Sequence, residues 1–334
     1  MAGFALPRFM SCPFAFALAV LGIPSGVFWP YFAGLAILVI GLPAAIKNAA
    51  RHTGALDKLV QFGPLLFAIP MAIFGADHFI AAKFVATAVP SWMPWHLFWA
   101  YLVGTALIAA ALSIAVGRYA FLASSLLATM IFLFVLMIHV PASLATPFEK
   151  TRFTILLRDS ALSAGVAAFA ASHTVQWRAR SMHWIITVAR VVIAIAIVVF
   201  GVDHFLNPTF APGIPQENAA ISVIMPAWIP AHAFWAYATG AIFIICGLSL
   251  LIPKLARSAA MVLGITVLVL ILFVYVPLTI AKASDIANGL NYLAIHFALA
   301  GAALLLAGAL PKVSRESAGV AEQQTAGLRR ASEV

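Results

Sequence analysis

The sequence predicts an all-α integral membrane protein of about ten transmembrane helices, eight of them a tandem parallel repeat of two four-helix bundles. Three observations lead there. Of 334 residues, 64% are hydrophobic and 9% charged, with a mean hydropathy of +1.07; a soluble domain carries about 25% charged residues. Apolar stretches of the length that crosses a bilayer, about 20 residues, recur along the chain. The third is a signature that occurs twice. Phe74-Gly75-Ala76-Asp77-His78-Phe79 returns as Phe200-Gly201-Val202-Asp203-His204-Phe205, and Pro90-Ser91-Trp92-Met93-Pro94-Trp95-His96 returns as Pro226-Ala227-Trp228-Ile229-Pro230-Ala231-His232. The order is kept, and only the loop between the two motifs is longer in the second copy.

Taken in order, spans fall near 9–23, 27–46, 59–80, 95–116, 119–140, 155–171, 184–206, 229–251, 258–280 and 290–310. The first is short and contains Pro13, but the region around Pro24-Ser25-Gly26 lacks a small-x-small cleavage site. It is therefore read as a helix rather than a signal peptide. The organisation is then two leading helices over 1–58, a first four-helix repeat over 59–183, a second over 184–312, and a tail over 313–334. The tail is polar and apolar-poor, so disorder is expected there.

Alternating the spans collects Lys47, Arg51, Lys58, Arg118, Arg178, Arg180, Lys254 and Arg257 on one side, joined by Lys312, Arg315, Arg329 and Arg330. The opposite loops hold only Lys83, Lys150, Arg152 and Lys282. By the positive-inside rule both termini face the cytoplasm. An even helix count per repeat makes the copies run in the same direction, about an axis along the membrane normal. The same dispersal explains the +9 net charge. The expected partner is the lipid bilayer, not nucleic acid. Cys12 and Cys246 each lie in an apolar segment without a C-x-x-C pattern and read as small core residues.

This topology puts Asp77-His78 and Asp203-His204 at the outer end of the first helix of each repeat. His96 and His232 then stand at the outer start of the next helix. Asp77 and His78 are expected to face His96, and Asp203 and His204 to face His232. His139 reaches the same level just before Val140-Pro141, and Tyr275 is its counterpart before Val276-Pro277. An Asp at a helix C-terminus opposes the helix dipole, so each calls for a partner, and the histidines are nearest. Such a pair can relay protons, orient an imidazole or latch two helices. Trp92, Trp99, Trp228 and Trp235 either wall a head-group pocket or form, with Trp95, Tyr101 and Tyr237, an interfacial belt. Pro94 and Pro230 are read as first-turn prolines.

Neither a metal nor a haem is expected. The ligand types recur without an i, i+4 histidine pair or an H-E-x-x-H run, and the histidines lie at the membrane edge. A second polar level comes from the fourth helices. Lining up Gly165 with Gly301 sets Arg158-Asp159-Ser160 opposite Ala294-Ile295-His296. This level has diverged, and Arg158 and Asp159 are near enough in height to join the cluster of the first repeat. Arg190 reads as a structural, snorkelling cation. No G-x-G-x-x-G, P-loop or G-x-S-x-G motif is present.

Phe-Gly-x-Asp-His-Phe, then Pro-x-Trp-x-Pro, then Trp-Ala-Tyr-x-x-Gly ending at Gly104 and Gly240, resembles the DoxX-like group of bacterial four-helix membrane proteins. Each repeat, roughly 59–171 and 184–310, resembles one family member, about two thirds of the chain in all. The resemblance implies the bacterial inner membrane and a membrane subunit of a respiratory or thiol/sulfur-oxidation complex, with other membrane or periplasmic redox proteins as partners. It implies a quinone as cofactor, with Asp77, His78, His96, His139, Asp203, His204 and His232 as proton-exchanging residues. Trp92, Trp99, Trp228, Trp235 and Tyr275 would line its binding site. Catalysis by the chain itself is not implied. Two other functions fit the sequence: a scaffold without a ligand of its own, favoured by small-residue helix faces, and a small-molecule transporter, disfavoured because polar residues near the midplane are scarce.

Overall fold

The computed structural model describes residues 27–147, 149–173, 176–211 and 220–312, apart from the side chains of 176–181. The expected span over 9–23, the tail over 313–334, Cys12 and the side chains of Arg178 and Arg180 lie outside the described residues.

Among the described residues nine helices are long and apolar enough to cross a membrane. They are α1 (Phe28–Ala49), α2 (Ala55–Ile80), α3 (His96–Val116), α4 (Ala120–Ala145), α5 (Lys150–Ser172), α6 (Met182–Leu206), α7 (His232–Leu251), α8 (Pro253–Ala281) and α9 (Ile286–Ala309). Each overlaps one predicted span. Pro94 and Pro230 precede helices α3 and α7 rather than occupying their first turns. The residues immediately before these helices, Trp95 and Ala231, take left-handed φ values of 57° and 55°. The chain thus turns sharply into each helix.

The two copies of the signature adopt the same local geometry. Trp99 Nε1 donates to the Pro94 carbonyl at 2.9 Å, and Trp235 Nε1 to that of Pro230 at 3.1 Å. Phe79 packs on Tyr101 with ring centroids 5.7 Å apart, and Phe205 on Tyr237 at 5.5 Å. Gly75 meets Gly104, and Gly201 meets Gly240, so closely that a Cβ on either would lie 3.0 Å or less from the other's carbonyl oxygen. The glycines therefore set the spacing of the first two helices of each repeat. Further on, α4 and α8 each widen into a π turn, over Val135–His139 and Ile271–Tyr275. Pro141 and Pro277 follow. A proline lacks an N–H and crowds the carbonyl four residues back, and the wider turn relieves that conflict.

The fourth helices depart from the expectation of two separate bundles. In each repeat α2–α3 and α6–α7 pair as expected, but α9 packs on α2 and α5 packs on α6. Each fourth helix lies against the first helix of the other repeat. The two also cross each other, and both hydrophobic cores include them. Small residues permit this. A Cβ on Gly301 would lie 2.6 Å from the Phe67 backbone nitrogen of α2, and one on Gly165 would lie 2.8 Å from the Ala302 Cα of α9.

A polar cluster closes the end of the molecule opposite the signature. Asp57 of α2 accepts from Arg257 of α8 at 2.7 Å and from Lys312, beyond α9, at 2.8 Å. Arg257 also donates to the Ala307 and Leu310 carbonyls, covering the C-terminus of α9. The repeats are thus joined by ions at one end and by exchanged helices along their length.

Candidate functional site

The repeated histidines do not pair with the repeated aspartates. His78 Nδ1 lies 2.7 Å from the Phe74 carbonyl of its own helix, and His204 Nδ1 lies 2.8 Å from that of Phe200. A carbonyl only accepts, so Nδ1 carries the hydrogen in both, and the neutral ring keeps its lone pair on Nε2. Successive side chains on a helix point about 100° apart, so Asp77 cannot share the direction of His78. Asp77 turns to α9, where Asn291 is its polar neighbour, and Asp77 Oδ1 and Asn291 Oδ1 are buried without a partner. Asp203 Oδ1 accepts from Asn207 Nδ2 at 2.7 Å, and Asn207 Oδ1 accepts from Lys150 Nζ of α5 at 3.0 Å.

The expected facing of Asp77 and His78 with His96, and of Asp203 and His204 with His232, is therefore replaced. Each aspartate finds an amide, and each network reaches the fourth helix of the other repeat. His96 has no hydrogen bond among the described residues, and His232 Nε2 lies 3.4 Å from the Pro226 carbonyl.

The ionic centre lies one level over. His139, at the end of the first π turn, contacts Asp159 of α5, with Nε2 2.9 Å from Oδ2. Asp159 Oδ1 accepts from Arg158 Nε at 2.8 Å. All three side chains are at most 21% exposed, so the carboxylate is held between two basic groups within the fold. The second repeat has Tyr275 in place of His139. Its ring stacks on His296 of α9, with centroids 3.5 Å apart and planes 21° off parallel. His296 Nδ1 lies 2.7 Å from the Tyr292 carbonyl, repeating the arrangement of His78 and His204.

These differences open different spaces. In the first repeat a cleft of about 870 Å³ runs between α3 and α4, from Ser113 and Tyr119 at one end to His78, Trp99 and His139 at the other. Its walls are apolar: Val103, Ala106, Leu126 and Met130 among them. In the second repeat Trp228 packs edge-on against Phe273 at 6.5 Å. There the space is a cavity of about 70 Å³ lined by Arg158, His204, Phe243, Tyr275 and His296. Arg158 belongs to the first repeat by sequence and reaches this cavity because α5 packs on α6.

The tryptophans divide. Trp99 lines the cleft, whereas Trp92 and Trp228 are 72% and 65% exposed and suit an interfacial belt. Trp235 is also exposed. Arg190 keeps Nε buried without a hydrogen-bond partner. Among the described residues no group of three His, Cys, Asp or Glu side chains is arranged to hold a metal. Asn291 is a site residue that sequence reading missed, because it is neutral and lies outside the repeated signature.

Residues 185–276, from α6 to the π turn of α8, match the family model described as DoxX. This supports a DoxX-like membrane protein. No curated protein and no solved structure matches the chain.

Proposed function

We propose that this DoxX-like membrane protein is the quinone-binding membrane subunit of a redox complex, with its quinone site in the first repeat. The observation that carries this reading is the cleft between α3 and α4. It offers about 870 Å³ of apolar groove along the helices and ends on His78 and His139. An isoprenoid-tailed quinone needs that combination: a long apolar channel for the tail and hydrogen-bonding groups for the ring. When bound, a quinone supplies two-electron, two-proton chemistry, and a partner redox protein exchanges the electrons.

The chain's own residues contribute binding and proton handling. Trp99 and Met93 border the ring end of the cleft. His78, with Nδ1 held by a carbonyl, offers Nε2 as an acceptor. His139 is oriented by Asp159, and Asp159 by Arg158, so a proton placed on His139 has a counter-charge at 2.9 Å. The clustering of basic residues at the Asp57–Arg257 end supports a cytoplasmic position for that end. The histidines then exchange protons with the outer side of a bacterial inner membrane.

Quinone extraction from protein purified in mild detergent tests this. The wild-type protein is expected to retain quinone near stoichiometry. Ala106→Phe, which fills the middle of the cleft, should lose it while folding normally. Equal amounts of bulk phospholipid and no quinone in both proteins would overturn the assignment and leave a ligand-free scaffold as the better reading.

A further inference from the structure

The cavity of the second repeat does not belong to the cleft just described. It is separated from it by the fourth helices, it is more than tenfold smaller at about 70 Å³ against about 870 Å³, and its lining is chemically different. A buried water needs about 10–15 Å³ of such space, so a cavity of about 70 Å³ has room for a molecule of four non-hydrogen atoms. We propose that it is a binding site for a small oxyanion that still carries an O–H, an acid of the hydrogencarbonate type.

The argument rests on what each polar group offers. Arg158 lines the cavity with its Nε committed to Asp159. Its two terminal nitrogens have no protein partner among the described residues, and they remain as donors for an anion. His204 and His296 line the same space with Nδ1 bound to backbone carbonyls. Each neutral ring therefore presents a lone pair on Nε2 and no hydrogen. The Tyr275 hydroxyl can donate or accept. A bare anion satisfies the guanidinium but leaves two imidazole acceptors idle. A cation satisfies the imidazoles but meets Arg158. A singly charged oxyanion with an O–H meets the guanidinium with its oxygens and one of the imidazoles with its hydrogen, which a bare anion cannot do, and buried polar groups are costly when left unpaired.

The first repeat lacks the set. The position aligned with His296 is Ser160 and that aligned with Tyr275 is His139, and His139 is engaged by Asp159. The cavity instead combines Tyr275 and His296 of the second repeat with Arg158 of the first. It exists because the fourth helices are exchanged.

The test compares two planar anions of equal size, hydrogencarbonate and nitrate, which differ in the O–H. Both are titrated into the full-length protein in detergent at constant ionic strength, with chloride as the balancing salt, and thermal unfolding is followed. A ligand that binds only the folded state raises Tm in a saturable way. Hydrogencarbonate is expected to bind about tenfold more tightly than nitrate, the discrimination of one hydrogen bond. His296→Phe keeps the stack on Tyr275 and should abolish the preference, and Arg158→Gln should abolish binding of both anions. Equal binding of the two anions by the wild-type protein, no saturable shift with either, or a preference that survives His296→Phe overturns the proposal. Quinone retention is read separately in the same preparation, so failure here and failure of the cleft assignment are distinguishable.

Discussion

The two repeats share the local geometry of their signature and differ most at the level of the π turn and the fourth helix. In both, the first histidine is tied to its own helix, the glycine pair sets the first crossing, and a π turn follows at the same point. At the end of that π turn the first repeat has His139 on a carboxylate beside an open cleft. The second has Tyr275 stacked on His296 beside a smaller, more enclosed cavity. The lesson is that the repeated signature keeps a common frame, while the residues at the π turn and on the fourth helix shape two different spaces. Arg158 and Asp159 are neighbours in sequence; Asp159 holds His139 beside the cleft, while Arg158 both holds Asp159 and lines the cavity.

The contrast is broken most severely at Asp159. Asp159→Asn keeps the shape but leaves Arg158 and His139 without their shared counter-charge, and breaking a buried pair costs about 3–5 kcal/mol. A large drop in Tm with loss of both quinone and anion binding is expected, whereas Asp203→Asn should change Tm little. Equal effects of the two would remove the distinction between them.

A second perturbation addresses the exchange of helices. Gly301→Val drives a side chain into the Phe67 backbone, an overpacking that costs about 1–3 kcal/mol. Lower Tm and faster proteolysis should follow, with both sites weakened together since α9 lines one and braces the other. A change confined to the second repeat would show that the repeats stand apart.

The smallest effect sharpens the comparison. His139→Tyr with Ser160→His gives the first repeat the residues of the second. Tm should stay within about 0.5–1 kcal/mol of equivalent stability, since tyrosine–histidine stacking replaces an ion pair. Quinone retention, measured by extraction, should fall about tenfold with the loss of one charge-assisted hydrogen bond.

Much of this was legible before folding. Hydropathy located each described span, and the repeated signature identified the level where the polar groups gather. Val140-Pro141 and Val276-Pro277 matched His139 with Tyr275 but did not reveal the π turns that precede them, and lining up Gly165 with Gly301 brought Arg158, Asp159 and His296 to notice. The partners were not legible. Chemistry alone matches Asp77 with histidine, but its neighbour is Asn291, which lies outside the repeated signature. The tryptophans of the motif look alike in sequence, and only Trp99 reaches the cleft.

The sequence by itself determined the helices, their duplication and the chemistry available at one end of them, because hydropathy, proline and glycine act over a few residues at a time. Only the tertiary structure decided that α5 packs on α6 and α9 on α2. A small-residue face records that a helix can approach another closely, not which one. Contacts between helices more than a hundred residues apart are set by the joint packing of all of them, and the two sites, their sizes and their shared Arg158-Asp159 pair follow from that choice.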